Sequence, residues 1–200
     1  MFRKLAATVA VTLACAAGIS VPSPVQAQAA AATAPATHPG TKLTFAPNLG
    51  GSQLVGSSII GSPENRADLG YNYQYVTPQK IQISVYIYDG GRRVPSGSDN
   101  PVILRQFSAD LDSTEQQIKA GGYTNFERQA VASSCSYGVV TFRCATFSAA
   151  APSGRLYSRL LLTGFRDNFL KIRIDWSQAA NHSTSDVDRA LEAFISALIR

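Results

Sequence analysis

Histidine and cysteine are scarce in this chain, and their scarcity limits the chemistry available to it. Of 200 residues, two are histidine and three are cysteine. Zinc sites need several histidine or cysteine ligands, so zinc chemistry is not expected. A miniprotein held together by many disulfides is excluded as well, because such scaffolds are much richer in cysteine. We predict no metal and no cofactor.

Charged residues are also few, at 16% of the chain, and the sequence has no collagen-like repeat, no coiled-coil heptads and no series of membrane-length apolar runs. Apolar residues make up 45% of the chain, and the formal net charge is only +5. A disordered protein would be less apolar and more highly charged. The length suits one globular domain with a short appendage.

The N-terminus has the layout of a secretory signal peptide. Arg3 and Lys4 precede an apolar run over residues 5–21, and two A-x-A-like cleavage sites follow. We therefore predict a signal peptide over residues 1–27, with a second cleavage site after residue 29. A membrane anchor is the alternative, although the run barely reaches the roughly 20 residues that a span needs.

The mature chain is predicted to be exported to the periplasm or the extracellular space, with no transmembrane span. Residues 28–40 are rich in Ala, Thr and Pro and predict a disordered tether, and residues 41–200 form a single globular domain. Cys15 is not expected to carry a lipid. In a lipoprotein signal the large aliphatic residue lies farther before the modified cysteine, whereas here Leu13 is one position too close to Cys15. Removal of the signal peptide leaves Cys135 and Cys144. An even pair in an exported protein predicts a disulfide rather than two buried thiols.

The spacing of apolar residues alternates between periods of 2 and 3.6, which predicts an α+β domain. We expect a mostly antiparallel sheet of about six or seven strands. A middle helix from Pro101 to Ala120, capped by Asn100 or Asp99, and an amphipathic C-terminal helix pack on this sheet. Cys135 is expected in a loop between two strands.

Two hairpins are predicted inside the sheet. The first joins residues 70–77 to residues 80–88 around Pro78-Gln79. The second joins residues 156–165 to residues 169–176 through a two-residue turn at Asp167-Asn168, which would place the alternating aliphatic residues of both strands on one face.

The order of these elements resembles that of a known fold. A strand of the form Leu43-Thr44-Phe45-Ala46-Pro47 comes first, followed by tyrosine-rich strands, a middle helix after Gly90-Gly91, a long hairpin and a terminal helix. This order is similar to the PsbP-like α/β sandwich over residues 42–200. The resemblance implies an antiparallel sheet with helices packed on it, and it carries over no functional residue.

Tyrosines are concentrated in the first hairpin. Five of the eight fall between residues 71 and 88: Tyr71, Tyr73, Tyr75, Tyr86 and Tyr88. With a two-residue loop, all five share the face opposite the aliphatic residues of the second strand, whereas a shift of one residue places the first three with those aliphatic residues. Exposed tyrosines would suit a glycan, a peptide or a protein partner, and ordinary packing in the core is the alternative.

Basic residues crowd the last strands, in the set Arg143, Arg155, Arg159, Arg166, Lys171 and Arg173. Lys171 and Arg173 alternate with aliphatic residues and therefore face away from them. A basic stripe that includes Arg159 would suit anionic lipid, lipopolysaccharide or cell-wall polymer, while nucleic acid is not expected in an exported protein. The alternative is a solvated face that neighbouring carboxylates such as Asp175 neutralise.

Catalytic groups are sparse. His38 falls in the tether, so His182 is the only imidazole base expected in the domain, and no G-x-S-x-G elbow accompanies it. Asp110 and Asp112 point in different directions on a helix, which favours solvated surface charges over a glycosidase pair. The loop GGSQLVG at residues 50–56 lacks the Lys-Ser/Thr of a phosphate loop.

The sequence thus predicts an exported binding or accessory module of a bacterial envelope or secretome, with no catalytic residue assigned. The candidate binding residues are Tyr71, Tyr73, Tyr75, Tyr86, Tyr88, Arg159, Lys171 and Arg173. The candidate partners are an envelope protein, a glycan or an anionic surface. A small secreted hydrolase that uses His182 or a carboxylate, and a structural component of an envelope complex, are the alternative functions.

Overall fold

A computed structural model describes residues 35–60, 70–151, 154–178 and 182–200. The predicted signal peptide, Cys15 and most of the predicted tether lie outside these residues. Within them the chain forms ten strands and two helices: β1 Ala36–Thr37, β2 Thr44–Phe45, β3 Asn48–Leu49, β4 Ser52–Ile59, β5 Tyr71–Val76, β6 Gln82–Tyr88, α1 Pro101–Ala120, β7 Thr124–Tyr137, β8 Val140–Ala151, β9 Gly154–Phe165, β10 Asn168–Ser177 and α2 Thr184–Leu198.

Eight of these strands form one antiparallel, curled sheet in the order β3-β4-β5-β6-β10-β9-β8-β7, and β1 pairs with β2 beside it. The α+β class is therefore confirmed, and the strand count exceeds the predicted six or seven. β2 lies within the predicted opening strand, and the two strands that the sequence did not predict, β1 and β3, have two residues each. Segments this short contain no alternation that a periodicity argument could detect.

Helix α1 begins and ends where the sequence predicts. The Asn100 side chain accepts hydrogen bonds from the backbone N–H groups of Val102 and Ile103, and Pro101 occupies the first turn, where its missing N–H costs nothing. Ile103 and Phe107 are buried against β8 and β9 in a core cluster of its own. The helix therefore covers one face of the sheet on the side of β7, β8 and β9.

Helix α2 packs on the opposite face of the sheet. A capping box joins Ser183 to Asp186 and satisfies the backbone at the helix start. The predicted apolar stripe is buried in the larger core cluster: Val187, Leu191, Phe194, Ile195 and Leu198. Because the two helices cover opposite faces, alternate residues of β9 and β10 enter different cores.

The turn of the β9–β10 hairpin lies one residue earlier than predicted, at Arg166-Asp167 rather than Asp167-Asn168. Arg166 and Asp167 have φ values of 47° and 64°, so both adopt the left-handed conformation of a two-residue hairpin turn. Leu170 consequently pairs with Thr163 instead of Phe165. A shift of two positions preserves the face of every side chain, so the predicted aliphatic face is retained.

Cys135 and Cys144 are bonded to each other across β7 and β8, with their Cα atoms 6.0 Å apart. The predicted pairing is therefore present, but Cys135 lies inside β7 and not in a loop. Two residues, Gly138 and Val139, separate β7 from β8, so the connection between these strands is too short to contain Cys135.

The folded part of the chain begins before residue 41, within the predicted tether. β1 pairs with β2, and His38 is 4% exposed. Its Nδ1 atom accepts the backbone N–H of Thr41 at 3.0 Å, and its ring packs edge-on against Tyr71. His38 is thus a core residue of the domain.

In the four described ranges, no helix is both long and apolar enough to cross a membrane.

Candidate functional site

The register of the β5–β6 hairpin decides which tyrosines share a face. Tyr71 lies opposite Ile87, and Tyr75 lies opposite Ile83. The predicted two-residue loop is therefore wrong. The register is shifted by one residue, which places Tyr71, Tyr73 and Tyr75 on the same face of the sheet as the aliphatic residues of β6. The cause is local: Thr77 donates its backbone N–H to the carbonyl of Ile81, and its hydroxyl accepts the N–H of Ile81, which makes a wider loop.

The rings of these first three tyrosines pack in or against the larger core cluster. Tyr73 stacks on Phe45 with ring centroids 3.6 Å apart. Tyr75 is fully buried and donates its hydroxyl to the Ala46 carbonyl at 2.9 Å, and this burial raises the pKa of its hydroxyl. Tyr71 packs against His38. Tyr73 and Tyr75 are buried, whereas Tyr71 is partly exposed.

Tyr86, Lys171 and Arg173 are brought together on the opposite face of the sheet. Cross-strand pairing forms three rows over β5, β6 and β10: Asn72–Tyr86–Lys171, Gln74–Ser84–Arg173 and Val76–Gln82–Asp175. These side chains point to the side of α1, which packs mainly on β7, β8 and β9 and contacts the polar face at Lys171 through Asp110. We call these three rows the polar face.

Lys171 anchors the border between the polar face and α1. Its ammonium lies 3.1 Å from the Asp110 carboxylate, 4.8 Å from the Tyr86 ring centroid and 5.7 Å from that of Tyr88. The Tyr88 hydroxyl donates to the same carboxylate at 3.0 Å. Burial, the charge of Asp110 and this hydrogen bond together raise the pKa of Tyr88.

Asp110 is therefore not the solvated surface charge that the sequence indicated. Its side chain is 9% exposed, whereas that of Asp112 is 68% exposed. Asp110 lies on the buried side of α1, where its partner is a lysine 61 positions away in the chain. Tyr88, below it, is a structural residue of this cluster, and Tyr86 remains partly exposed.

The predicted basic stripe is divided between faces, and five of its six cations, all except Arg166, contact a carboxylate of the described residues. Arg173 contacts Asp175 at 3.0 Å on the polar face. Arg159 lies on the other face, where its guanidinium binds Asp188 and donates to the Tyr137 hydroxyl at 2.6 Å. Two further pairs are Arg155–Glu127 and Arg143–Asp99. Arg159 is therefore not part of the polar face.

The polar face combines one partly exposed aromatic ring with amide, hydroxyl and charged groups on a sheet surface. Gln74 and Gln82 are exposed, and Ser84 is half-buried between them and Arg173. Sequence reasoning missed these three residues, although alternation in β6 places Gln82 and Ser84 opposite its isoleucines. The arrangement can donate and accept several hydrogen bonds beside a ring, and it includes no group poised for nucleophilic attack.

His182 precedes the start of α2, away from the polar face. Its Nε2 atom lies 2.6 Å from the backbone carbonyl of Gln79 and so carries the proton of that hydrogen bond. A ring nitrogen occupied in this way cannot take a proton from a nucleophile. No group of three or more His, Cys, Asp or Glu residues that could hold a metal ion occurs in the part of the chain that the structure describes.

No protein-family model matches the chain. None of the curated proteins matches it either. The resemblance of its element order to the PsbP-like fold therefore stays a prediction.

Proposed function

We propose that the protein is an exported, non-enzymatic module that binds a neutral, hydroxyl-rich glycan on the polar face. The observation that carries the proposal is the partly exposed ring of Tyr86, which lies between the Lys171 ammonium and the row of Gln74, Ser84 and Arg173. Asn72, on the other side of Tyr86, is buried, and its amide donates to the Val85 carbonyl. A sugar ring offers an apolar face to an aromatic ring and hydroxyls to the flanking polar groups.

Charge pairing favours a neutral ligand over an anionic one. The two cations of the polar face, Lys171 and Arg173, each contact a carboxylate at 3.0–3.1 Å. An anionic polymer would have to displace Asp110 or Asp175 before it gained a full charge interaction. The remaining N–H groups of both cations are available as donors to neutral hydroxyls without that cost.

The spacing of the rows suits an extended polymer. Adjacent strands of a sheet lie about 4.8 Å apart, and side chains on one face repeat about every 6.8 Å along a strand. Gln74, Ser84 and Arg173 form the second row, next to the row of Tyr86. A chain of several sugar units lying across β5, β6 and β10 therefore meets polar groups along its length.

The cysteine pair supports export to an oxidising compartment, such as the periplasm or the extracellular space. Cys135 and Cys144 are the only cysteines in the described residues, and they are bonded to each other. Disulfides persist outside the cytosol and are rare within it.

Affinity electrophoresis in gels that contain neutral or anionic polysaccharides tests the proposal. We expect a neutral polymer to retard the wild-type protein, and Tyr86→Ala to weaken binding about tenfold, which corresponds to about 1.4 kcal/mol. Tyr86→Phe keeps the ring and is expected to retain most of the affinity. Tyr123→Ala, in the segment after α1, is the matched control and should bind as the wild type does.

Two results would contradict the proposal. One is equal retardation of Tyr86→Ala and Tyr123→Ala in every gel. The other is binding only to anionic polymers with a steep dependence on salt, which would indicate an electrostatic surface instead. Turnover of a glycan that disappears in His182→Ala would establish the hydrolase alternative.

A further inference from the structure

The first described residues form a small hairpin, residues 35–45, that we call the N-terminal clasp. Its strands β1 and β2 are joined by two residue pairs, Ala36–Phe45 and Thr37–Thr44. A ladder of this length does not hold a segment in place, because an isolated two-stranded hairpin is marginally stable at best. The clasp therefore depends on side chains that fix it to the rest of the domain.

The two halves of the clasp are fixed to the domain in different ways. The half that contains β2 buries Leu43 and Phe45 in the larger core cluster. In the half that contains β1, His38 is the only buried side chain among residues 35–40. Its ring packs edge-on against Tyr71, with the ring centroids 4.8 Å apart. The imidazole is therefore the main anchor of β1.

Hydrogen bonding fixes the protonation state of this anchor. The backbone N–H of Thr41 donates to Nδ1 of His38 at 3.0 Å, so Nδ1 presents a lone pair and the neutral ring holds its proton on Nε2. Two backbone bonds of 2.9 Å close the turn around the ring: the N–H of His38 donates to the Leu43 carbonyl, and the N–H of Lys42 donates to the His38 carbonyl. The closed clasp thus requires a neutral imidazole.

Protonation of the ring places two donors against each other. Both nitrogens of an imidazolium ion carry a proton, so Nδ1–H of His38 would face the N–H of Thr41. The Thr41 hydroxyl, 3.1 Å from Nδ1, can accept the new proton, but the backbone N–H still loses its acceptor. Because Thr41 is fully buried, water does not replace that acceptor, and a buried donor without a partner is costly. Opening the clasp brings both groups into water and removes the conflict.

Charged and titratable groups from several elements surround the ring. Asp89, which follows β6, favours the imidazolium, whereas Lys42 of the clasp itself opposes it. Arg166, in the turn between β9 and β10, donates to the Thr41 carbonyl and adds a second cation nearby. Tyr71 of β5 contributes the edge contact of its ring. Burial outweighs the attraction of Asp89 and lowers the pKa of the imidazole below 6.5.

We propose that the N-terminal clasp is a switch that opens in acid: protonation of His38 detaches β1 and its turn from the domain, while β2 stays in place. Leu43 and Phe45 hold β2 in the core without help from the ring. The hinge lies at Lys42, whose φ of 58° is a left-handed conformation that is costly for a residue other than glycine. Opening exposes the ring of Tyr71. The switch requires neither the polar face nor its ligand.

The direction and the size of the pH response follow from proton linkage. The open clasp binds a proton with the ordinary histidine pKa of about 6.5, and the closed clasp has a lower pKa, so opening takes up a proton. The open population therefore rises as the pH falls through about 6.5, by up to about tenfold per pH unit. The rise ends at the lowered pKa of the closed clasp. Between about pH 7 and about pH 5.5, its upper limit is about eightfold.

Amide hydrogen exchange of the full chain, followed by NMR, tests this proposal. The protection factors of the amides of His38, Thr41 and Lys42 should fall about three- to eightfold between about pH 7 and about pH 5.5. At both pH values these amides should also be less protected than those of Leu161 and Ile172 in the central strands, because the clasp opens without global unfolding.

Two variants separate the ring from the rest of the clasp. His38→Gln cannot take up a proton and should give the same protection factors at both pH values. Thr37→Ala is the matched control, because it removes the 3.3 Å contact between the exposed hydroxyls of Thr37 and Thr44. It should lower protection by the same factor at both pH values and leave the wild-type pH dependence unchanged.

The ring nitrogens of the wild-type protein provide a measurement that needs no variant. Their NMR shifts should show Nδ1 of His38 without a proton at about pH 7. The proposal is overturned if Nδ1 carries the proton there, if the wild-type clasp is equally protected at both pH values, or if it exchanges only together with Leu161 and Ile172. Retention of the wild-type pH dependence in His38→Gln would overturn it as well.

Discussion

The contact between Asp110 and Lys171 joins α1 to the sheet, and its removal should destabilise the protein by a predictable amount. Asp110→Asn leaves the Lys171 ammonium, 22% exposed, without its carboxylate, and it removes the charged acceptor of the Tyr88 hydroxyl. Breaking a buried ion pair from one side costs about 3–5 kcal/mol. The remaining exposure of Lys171 lets water compensate part of that loss, so we expect about 2–4 kcal/mol.

Urea unfolding followed by circular dichroism measures this change. A cost of about 3 kcal/mol also lowers the melting temperature by about 6–12 °C in a domain of this size. Asp112→Asn is the matched control, because Asp112 lies on the same helix, is 68% exposed and contacts Arg128 only at 3.9 Å. Its expected cost is below about 0.5 kcal/mol.

Replacing the whole cluster separates the loss of one partner from the value of the pair. Asp110→Leu/Lys171→Met/Tyr88→Phe removes both charges and the Tyr88 hydroxyl together and should cost less than Asp110→Asn alone, since apolar groups of similar size replace them. Gln106, which donates to Asp110 at 3.3 Å, is partly exposed and can bond to water in this variant. The reasoning is refuted if Asp110→Asn costs no more than Asp112→Asn, or if the triple variant is less stable than the single one.

Three further predictions concern pH and backbone space. Burial lowers the pKa of His38, so the unfolded chain binds more protons below about pH 6.5 and stability falls as the pH drops. His38→Gln should flatten this slope in urea titrations, and a slope equal to that of the wild type would contradict the prediction. The pKa of Tyr88 is raised from 10.0, so the folded state keeps the hydroxyl proton at a pH where the unfolded state loses it, and stability should fall above about pH 10. This fall should be less steep in Tyr88→Phe, and the same slope in both proteins would contradict the prediction. Gly50→Ala would place a Cβ 2.5 Å from the Ala193 carbonyl oxygen and should lower the free energy of unfolding by at least about 2 kcal/mol. Gly51→Ala, whose Cβ would meet open space, should lower it by about 1 kcal/mol. Equal melting temperatures of the two variants would contradict this prediction.

The two helices could be predicted from the sequence because their signals are local. Asn100, Pro101 and the stripe that begins at Val187 act within a few residues of one another. Helix periodicity and capping therefore place these elements without knowledge of the rest of the fold.

Strand registers could not be predicted in the same way, because single turn contacts decide them. The hydroxyl of Thr77 bonds to Ile81 and widens one loop, and the left-handed conformation of Arg166 moves the other turn by one residue. In each case the amino-acid composition of the segment is compatible with more than one turn, and a small difference in local energy selects the turn that forms.

The candidate site was predicted in part. Tyr86, Lys171 and Arg173 follow from strand alternation, which depends only on the sequence period. The burial of Asp110 and of His38 depends on partners that are distant in the chain, Lys171 and Tyr71. Helix geometry placed Asp110 on a solvated surface, and the composition of residues 28–40 placed His38 in a tether, because neither partner is visible in the local sequence.

Amide chemical-shift mapping by NMR tests the central claim most directly. Titration of the full chain with a neutral polysaccharide fragment that retards it should perturb amides of Gln74, Ser84, Tyr86 and Arg173, all on β5, β6 and β10. Amides around Glu192 in α2 should stay unperturbed. Shifts confined to α2 and β7, or no saturable shift on β5, β6 and β10, would contradict the assignment of glycan binding to the polar face.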